Sequence, residues 1–539
     1  MVMDRLLGLE TEYAIRFAPA DPEHRPSNEA IYDAYAEAVA SLVETRPGLR
    51  DRELFLANGG AVHYETQLIA LADGLVEGAT PECRGPSSVV LYQRAQDHLL
   101  AEATPVAASR LAKAGFAGDL GLLKNCRDAD GHWYGAQENY ELEIASGVAL
   151  AVWRVGLAVL LPVALAGALL TWAVMIALLV VVLAGAAVVL LATLLIGRGS
   201  RDWVMRRHKP ALRTIVVISV ILERAIWEPI VFAFLFLYRA VAFRRVRRTI
   251  LGFLVTRQVF TGAGTLDHDR LALSEKALAV RRLCRLSMGA ALAIFDAGNL
   301  CKRLPSLLDF KVPAYLGLFR RKQRFQLGLS DSNMAQAAEY LKVATTNLVI
   351  DMAEAGALDE LPEVPRPVRT VHRVARSEDL GFAIAIQRRY LARAQRFVRE
   401  HATPSLEALD VIDRWRETLD ALERDPDELF GTVDWVTKRH LIRSAGSTAA
   451  ARKKIDLKYH ELGVGYFAQL ERAGFAPMLV SDAEALVARR QPPADTPART
   501  RARVMRELIA EAAKVRMTWD HVRVGGGFKG RVIRLDDYR

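Results

Sequence analysis

Apolar and acidic residues alternate at the start of the chain, in Leu6-Leu7-Gly8-Leu9-Glu10-Thr11-Glu12-Tyr13. A period of two predicts a strand with Glu10 and Glu12 on one face and Leu9, Thr11 and Tyr13 on the other. Helical spacing of Ile31, Tyr35, Ala38, Val39 and Leu42 follows over 28–43, ended by Pro47-Gly48. Leu54-Phe55-Leu56 and residues 61–66 read as strands on either side of the turn signal Asn58-Gly59-Gly60, with Ala61, His63 and Glu65 sharing a face. Residues 89–103 form a helix in this reading, and 120–125 and 134–142 two more strands. The second half is helical, over 334–354, 381–400, 405–424, 433–444 and 497–515, with Ser330-Asp331-Ser332-Asn333 as cap candidates for the first. A strand pair near 517–524 and 530–535, around Gly525-Gly526-Gly527, closes the chain. Strands first and helices around them predict an α+β fold, an antiparallel sheet with helices on its outer side.

One stretch breaks this pattern. From 148 to 196 the sole charge is Arg154, and the run is built of Ala, Val and Leu. A membrane span needs roughly 20 apolar residues, so the expectation is a tight hairpin of two spans near 148–170 and 172–196. The next loop carries Arg198, Arg201, Arg206, Arg207 and Lys209, a cytoplasmic signature by the positive-inside rule. A third apolar run, 212–243, is interrupted by Glu223, Arg224, Glu228 and Pro229 and closed by Arg244, Arg245, Arg247 and Arg248. It reads as a charged-centre span, a re-entrant pair or an interfacial helix.

Charge sharpens this division. The 539 residues, enough for two or three domains, carry a net charge of +10. Segment 148–250 holds 13 Lys/Arg and 3 Asp/Glu, an excess of 10, which leaves 59 of each sign elsewhere out of 72 and 62. The surplus belongs to the apolar segment, which points to a membrane surface and not to nucleic acid. Residues 1–12 are short and acidic, so no signal peptide is expected there. Cys83, Cys126, Cys284 and Cys301 lack metal spacing or a disulfide framework, consistent with ordinary buried thiols in a reducing compartment.

The chemistry suggested by the soluble part is acidic. Glu10 and Glu12 on one strand face, Glu65 on a neighbouring strand, then Glu77 and Glu82, with Glu138 and Glu143 further on, converge on a sheet face that needs cations. Mg²⁺ with nucleotide phosphates is the expected occupant, and Arg257, Lys124 and Arg84 are phosphate-clamp candidates. Glu77-Gly78-Ala79-Thr80 brings a carboxylate, flexible backbone and a hydroxyl together, and His63 beside Glu65 is a candidate metal ligand. Neither a Ser/His/Asp order nor a paired Cys motif stands out, so covalent catalysis by Ser or Cys is not expected.

Several longer blocks then resemble one family, the Pup-protein ligases and Pup deamidase/depupylases. They are LLGLETEY (6–13), NGG (58–60), EGATPEC (77–83), LLKN (122–125), YGAQENY (134–140), FLVTRQVFTGAG (253–264), LSDSNMAQAAEYLKVATTNLVIDM (329–352) and VDWVTKRHL (433–441), with KIDLKYHELG and TWDHV later. The resemblance covers nearly the whole chain outside 148–250. It implies a glutamine synthetase-like sheet cradle and a small C-terminal domain. It also implies an ATP- and Mg²⁺-dependent ligase that phosphorylates a glutamate side chain of a small acidic protein tag and joins it to a lysine amine of a target protein, within a proteasome-linked system. By position, Glu10, His63 and Glu77 correspond to metal ligands, Thr80 and Trp519 to ATP contacts, Arg257 to a further nucleotide-site residue and Glu65 to the catalytic acid; Glu12, on the same strand face as Glu10, is a metal-ligand candidate from that alternation alone. The family's aspartate is Glu65 here, its metal-binding tyrosine His63 and its arginine Ala61. The short 13–58 segment lacks the long loop of depupylases, which favours the ligase branch over the hydrolase. Because of those substitutions, a degenerate nucleotide-binding membrane scaffold is the rival of another class.

The expected division is 1–147 and 251–455 for a catalytic domain split by the insert 148–250, then 456–539 as the small C-terminal domain. Since 134–142 and 253–264 are assigned to one sheet, the insert crosses the membrane an even number of times and the enzyme is cytoplasmic. The expected pair is 148–170 and 172–196; the alternative is 148–196 with 212–243.

Overall fold

The computed structural model describes residues 2–66, 74–128, 131–196, 199–285, 292–309, 311–361, 363–400, 405–444, 448–508, 515–525 and 530–535, without the side chains of 188–189, 192–193 and 195–219. Its strands in chain order are β1 (Leu6–Pro19), β2 (Thr45–Pro47), β3 (Glu53–Leu56), β4 (Ala61–Glu65), β5 (Leu75–Ala79), β6 (Cys83–Arg84), β7 (Gly118–Leu123) and β8 (Gln137–Glu143). After the apolar insert come β9 (Thr265–Asp267), β10 (Arg270–Ala272), β11 (Arg282–Cys284), β12 (Ala293–Asp296), β13 (Lys322–Leu327), β14 (Val515–Met517), β15 (His521–Val524) and β16 (Arg531–Arg534). The main sheet runs β11-β12-β13-β8-β1-β5-β4-β3-β2, with β6 and β7 also on β1. It is antiparallel except between β11 and β12. The α+β expectation therefore holds, and the opening strand is its centre.

Alternation along β1 decides the layering. Leu7, Leu9, Thr11 and Tyr13 are buried, while Glu10 and Glu12 are half-buried on the other face. Each buried Leu is worth about 1.5–3 kcal/mol relative to exposure. The buried face packs on helix Pro86–Lys113 through Val89, Tyr92, Leu99 and Leu100. Thr11 Oγ1 donates to Gln93 Oε1 at 3.2 Å, and Tyr13 Oη to Asp97 at 2.6 Å, so the polar atoms on the helix side are paired. Helices line one side of the sheet and leave the acidic face open. The β3–β4 turn needs Gly59, at φ +85°, where a Cβ would meet the Ala498 carbonyl oxygen at 2.8 Å.

The insert is one antiparallel helical hairpin that differs from the expected one. Helix Gly147–Ile196 is continuous for 50 residues and returns as Gly199–Ala240. Leu169-Leu170-Thr171-Trp172 contains no turn former, and a helix satisfies every backbone group internally, so the chain has no reason to fold back there. The expected fold-back between 170 and 172 is thereby corrected: Gly147–Ile196 is one helix, and it pairs with Gly199–Ala240. At its base the hairpin belongs to the main core: Trp153, Leu157, Leu160, Trp227, Phe234 and Tyr238 are buried. Gly156 and Gly167 let Leu237 and Ile230 approach closely. Trp153 Nε1 and Trp172 Nε1 donate to the Leu318 and Leu308 carbonyls, each at 2.9 Å, fastening the base to segment 305–319.

A second correction concerns 253–264, expected in the sheet. Leu251–Thr256 and Gln258–Thr261 are helices instead, with Phe253, Leu254, Val255, Val259 and Phe260 buried. A short run that is apolar on every side does not distinguish a buried strand from a buried helix. The closing strands form a separate three-stranded sheet, β14-β15-β16. Its Met517, Val522 and Ile533 pack with Val504 and Met505 against Phe55 and Ala61 of the main sheet. All four cysteines are buried and free.

Candidate active site

Sheet register assembles the site. Glu12 of β1 lies opposite Glu77 of β5, Glu77 opposite His63 of β4, and His63 opposite Glu53 of β3. Four strands thus contribute one row of three carboxylates and an imidazole. In the adjacent row Glu10 faces Ala79, which faces Ala61. Glu10, Glu12, Glu53, His63, Glu77 and Ala79 line a cleft of about 790 Å³ together with Glu65 and Trp519.

Each acid has its own environment. Glu10 Oε1 accepts from Arg324 Nη2 at 2.5 Å and Oε2 from Gln326 Nε2 at 3.2 Å. Burial alone would raise the Glu10 carboxyl, but Arg324 outweighs it and holds the group below the ordinary range. Glu12 accepts from the Gly135 N–H at 3.1 Å. Gly135 sits at φ +117°, where a Cβ would lie 2.4 Å from Cys126 Sγ, so glycine is what presents that N–H. Burial and the facing Glu77 push the Glu12 carboxyl up to about 8, against the pull of Lys276 and Gly135. The His63 Nε2 lies 3.2 Å from Glu77 Oε2 and 3.5 Å from Glu65 Oε2. Burial depresses this imidazole, but the two carboxylates overcome it and lift it to about 10. His63 in turn keeps Glu65 below the usual carboxylate range.

The other half of the cleft is richer in cations. Arg281, Arg285, Lys302 and Arg324 come from β11, β13 and the connections around them, with Asp296 paired to Arg285 at 3.0 Å. Acids on β1, β4 and β5 therefore face cations on β11–β13, and Glu10–Arg324 is the seam. Of these cations sequence reasoning found none. The available signal was the alternation in Lys322–Leu327, which puts Arg324 on the same face as Lys322.

Trp519 closes one end. Its ring meets Phe55 edge-on at 5.3 Å, and the Arg501 guanidinium stacks over it at 4.5 Å. Arg501 is itself held by Glu82 at 2.5 Å and by the Gly59 carbonyl at 2.6 Å. The ring remains 37% exposed, which leaves a face for a ligand.

Other expected residues lie elsewhere. Thr80 is buried beside β1, its hydroxyl accepting from the Leu9 N–H at 3.0 Å, and it does not line the cleft. Arg257 is buried beneath the sheet, pairing with Glu138 at 2.5 Å and donating to the Leu329 carbonyl at 2.8 Å. Its place in a nucleotide site is corrected to a structural one, because every neighbour it reaches is interior. Lys124 is buried against Asp97 (2.8 Å) and Glu339 (3.3 Å), and Arg84 reaches the Asp495 carbonyl on another surface. Glu143 pairs with Arg321. A larger cavity of about 1040 Å³ at the hairpin base is lined by Arg5, Asp351, Arg245 and Asp359, which already neutralise one another.

The donor atoms fit a divalent cation. One atom each from His63, Glu65 and Glu77 lie within 4.8 Å of one another. Such a set, a basic wall and an exposed indole can hold a metal–polyphosphate ligand.

The family model for Pup-ligase protein matches residues 5–523. A Pup–protein ligase of Bifidobacterium dentium is 29% identical over 56% of this chain and 65% of its own length, just under two thirds. That of Acidimicrobium ferrooxidans is 23% identical over 99% of this chain and 96% of its own. Among solved structures, the complex of the prokaryotic ubiquitin-like protein Pup with its ligase PafA superposes with a TM-score of 0.66 at 19% identity, covering 99% of this chain and 89% of that one. PafA in complex with ADP gives 0.59 at 18% identity, covering 96% and 92%. At these identities the structures bear on the fold.

Proposed function

Because the chain belongs to the Pup-ligase family, we propose that it is an ATP-dependent carboxylate–amine ligase that joins a glutamate side chain of a small acidic, Pup-like tag to a lysine amine of a target protein. The observation that supports this most is the registered row Glu12–Glu77–His63, bordered by Glu65 and Trp519 in one cleft. His63, Glu65 and Glu77 would hold a divalent cation, with Glu10 and Glu12 alongside; when bound, it neutralises phosphate charge during transfer. Trp519 offers its open face to the base of the nucleotide, as an aromatic platform does. Lys302, Arg285 and Arg324 draw the phosphates and the tag carboxylate into line. The γ-phosphoryl group of ATP passes to that carboxylate, giving an acyl phosphate and ADP. Glu65, at the more open end of the row, then takes a proton from the lysine ammonium, the free amine attacks the acyl carbon, and phosphate leaves as the isopeptide bond forms.

The test uses full-length protein in detergent with ATP, divalent metal and an acidic peptide tag ending in glutamate. ADP release matched by a lysine conjugate in the mass spectrum supports the ligase; tag and nucleotide binding with neither product supports the scaffold instead.

The hairpin carries a second proposal, that it anchors the enzyme in a membrane with the catalytic domain cytoplasmic. Gly147–Ala187 is long and apolar enough to cross a bilayer, and only 17% of its most apolar window is buried. Met175, Ile176, Leu179, Val180 and Leu183 are exposed beyond the fastened base. From Trp172 to Ile196 the helix adds about 37 Å at 1.5 Å per residue, against a hydrocarbon core of about 30 Å. The protein is expected to sediment with membranes and to resist carbonate extraction. Recovery in the soluble fraction rejects the anchor, and labelling of Ser200→Cys by an impermeant maleimide in intact cells identifies a full crossing.

A further inference from the structure

We propose that His63, Glu65 and Glu77 make the cleft selective for a first-row transition-metal divalent ion over Mg²⁺, which deepens the reading of that cleft as a metal–nucleotide site. Among the described residues this is the one group in which three side chains of ligating type converge. His63 and Glu65 are two residues apart on β4, and Glu77 sits opposite His63 on β5, so the backbone ladder fixes their spacing. Metal–donor bonds of about 2.1 Å put neighbouring donors of an octahedron about 3.0 Å apart. The His63–Glu77 and His63–Glu65 separations of 3.2 and 3.5 Å, ion pairs in this structure, approach that edge length, so a metal ion takes the place of the proton on His63 Nε2 and releases it to solvent.

The ligand type sets the preference. Mg²⁺ is a hard ion that favours oxygen and gives up water reluctantly, whereas imidazole nitrogen suits first-row transition ions such as Fe²⁺, Ni²⁺ and Zn²⁺; Mn²⁺, the lowest of that series and the nearest to Mg²⁺, is the most demanding probe of the preference. Glu10 lies outside the convergent set, and each of its oxygens already accepts a hydrogen bond, from Arg324 and from Gln326. Glu12 already spends one oxygen on Gly135. The remaining convergent set is one nitrogen and two carboxylates.

The experiment titrates Mn²⁺ and Mg²⁺ into the full-length detergent-purified protein, with and without ADP, by calorimetry, and records pulsed electron paramagnetic resonance of bound Mn²⁺. Mn²⁺ is expected to bind more tightly than Mg²⁺, with a ¹⁴N coupling from imidazole. His63→Gln is expected to shrink the Mn²⁺/Mg²⁺ affinity ratio by about tenfold, the scale of a lost ligand interaction, leave Mg²⁺ within about threefold and abolish the coupling. The wild-type spectrum needs no variant, so a misfolded His63→Gln does not leave the question open. Equal support of ADP binding by the two ions with no nitrogen coupling overturns the inference and leaves the nucleotide reading intact. Mn²⁺ bound with nitrogen coupling but no ADP affinity upholds the inference and removes the nucleotide reading.

Discussion

Glu65→Gln lowers conjugation by about 10²–10⁴-fold, the range for loss of a general base, beyond the roughly tenfold loss of metal affinity that a lost ligand alone brings. The amide has the same shape and still offers a carbonyl oxygen, but it cannot accept the proton of the incoming ammonium. Glu65 is also the more accessible acid of the cluster, its side chain 40% exposed where that of Glu77 is 13% exposed. It therefore sits where an external amine arrives, and its loss does not leave a cavity in the core. Single-turnover conjugation measured beside ADP and metal affinity separates the roles. A fall in rate much larger than the fall in metal affinity identifies the base; a fall in rate no larger than that in metal affinity makes Glu65 chiefly a ligand. Glu65→Asp restores the charge but withdraws it by one methylene, and a displacement of about 1 Å is expected to cost on the order of 100-fold.

Arg257→Met has its largest effect on stability, with a loss of about 3–5 kcal/mol, the cost of leaving a buried carboxylate without its partner. Arg257 and Glu138 are 2% and 0% exposed, so no water compensates Glu138 once the guanidinium is gone. Burial alone would raise the Glu138 carboxyl, but Arg257, Lys342 and Tyr140 hold it below the ordinary range. A depressed carboxylate contributes stability above its unfolded value, about 4.3, and that contribution disappears as pH falls through the folded value. The penalty of Arg257→Met is accordingly greatest near neutral pH and shrinks in acid. Adding Glu138→Met is expected to recover much of the loss, because two apolar groups replace a broken ion pair. Denaturant unfolding of the three variants at two pH values measures this. Loss of ADP affinity at unchanged stability would return Arg257 to the nucleotide site.

The hairpin and the 253–264 segment show where pattern reading stops. Apolar content marked both as buried or lipid-facing, but neither strand nor turn position follows from a run without polar punctuation. In the hairpin, continuity of backbone hydrogen bonding decided for one long helix. Around Arg257, packing on all sides decided for short helices over a strand. Thr80 and Lys124 illustrate a related difficulty: a hydroxyl or ammonium beside an acidic motif resembles a ligand contact, yet each is satisfied by an interior partner, the Leu9 N–H or Asp97 and Glu339.

Local alternation in the sequence determined the opening strand, the shared face of Glu10 and Glu12, the shared face of His63 and Glu65, and the run of helices between 336 and 444. Those are properties of neighbours two to four residues apart, and side-chain period alone dictates them. Tertiary structure decided which acids meet and which cations answer them. That Glu12, Glu77 and His63 form one row is a matter of strand register, and that Arg324 reaches Glu10 across 314 residues is a matter of strand order. Register and order are set by how whole faces bury against helices, a condition that no window of the chain contains.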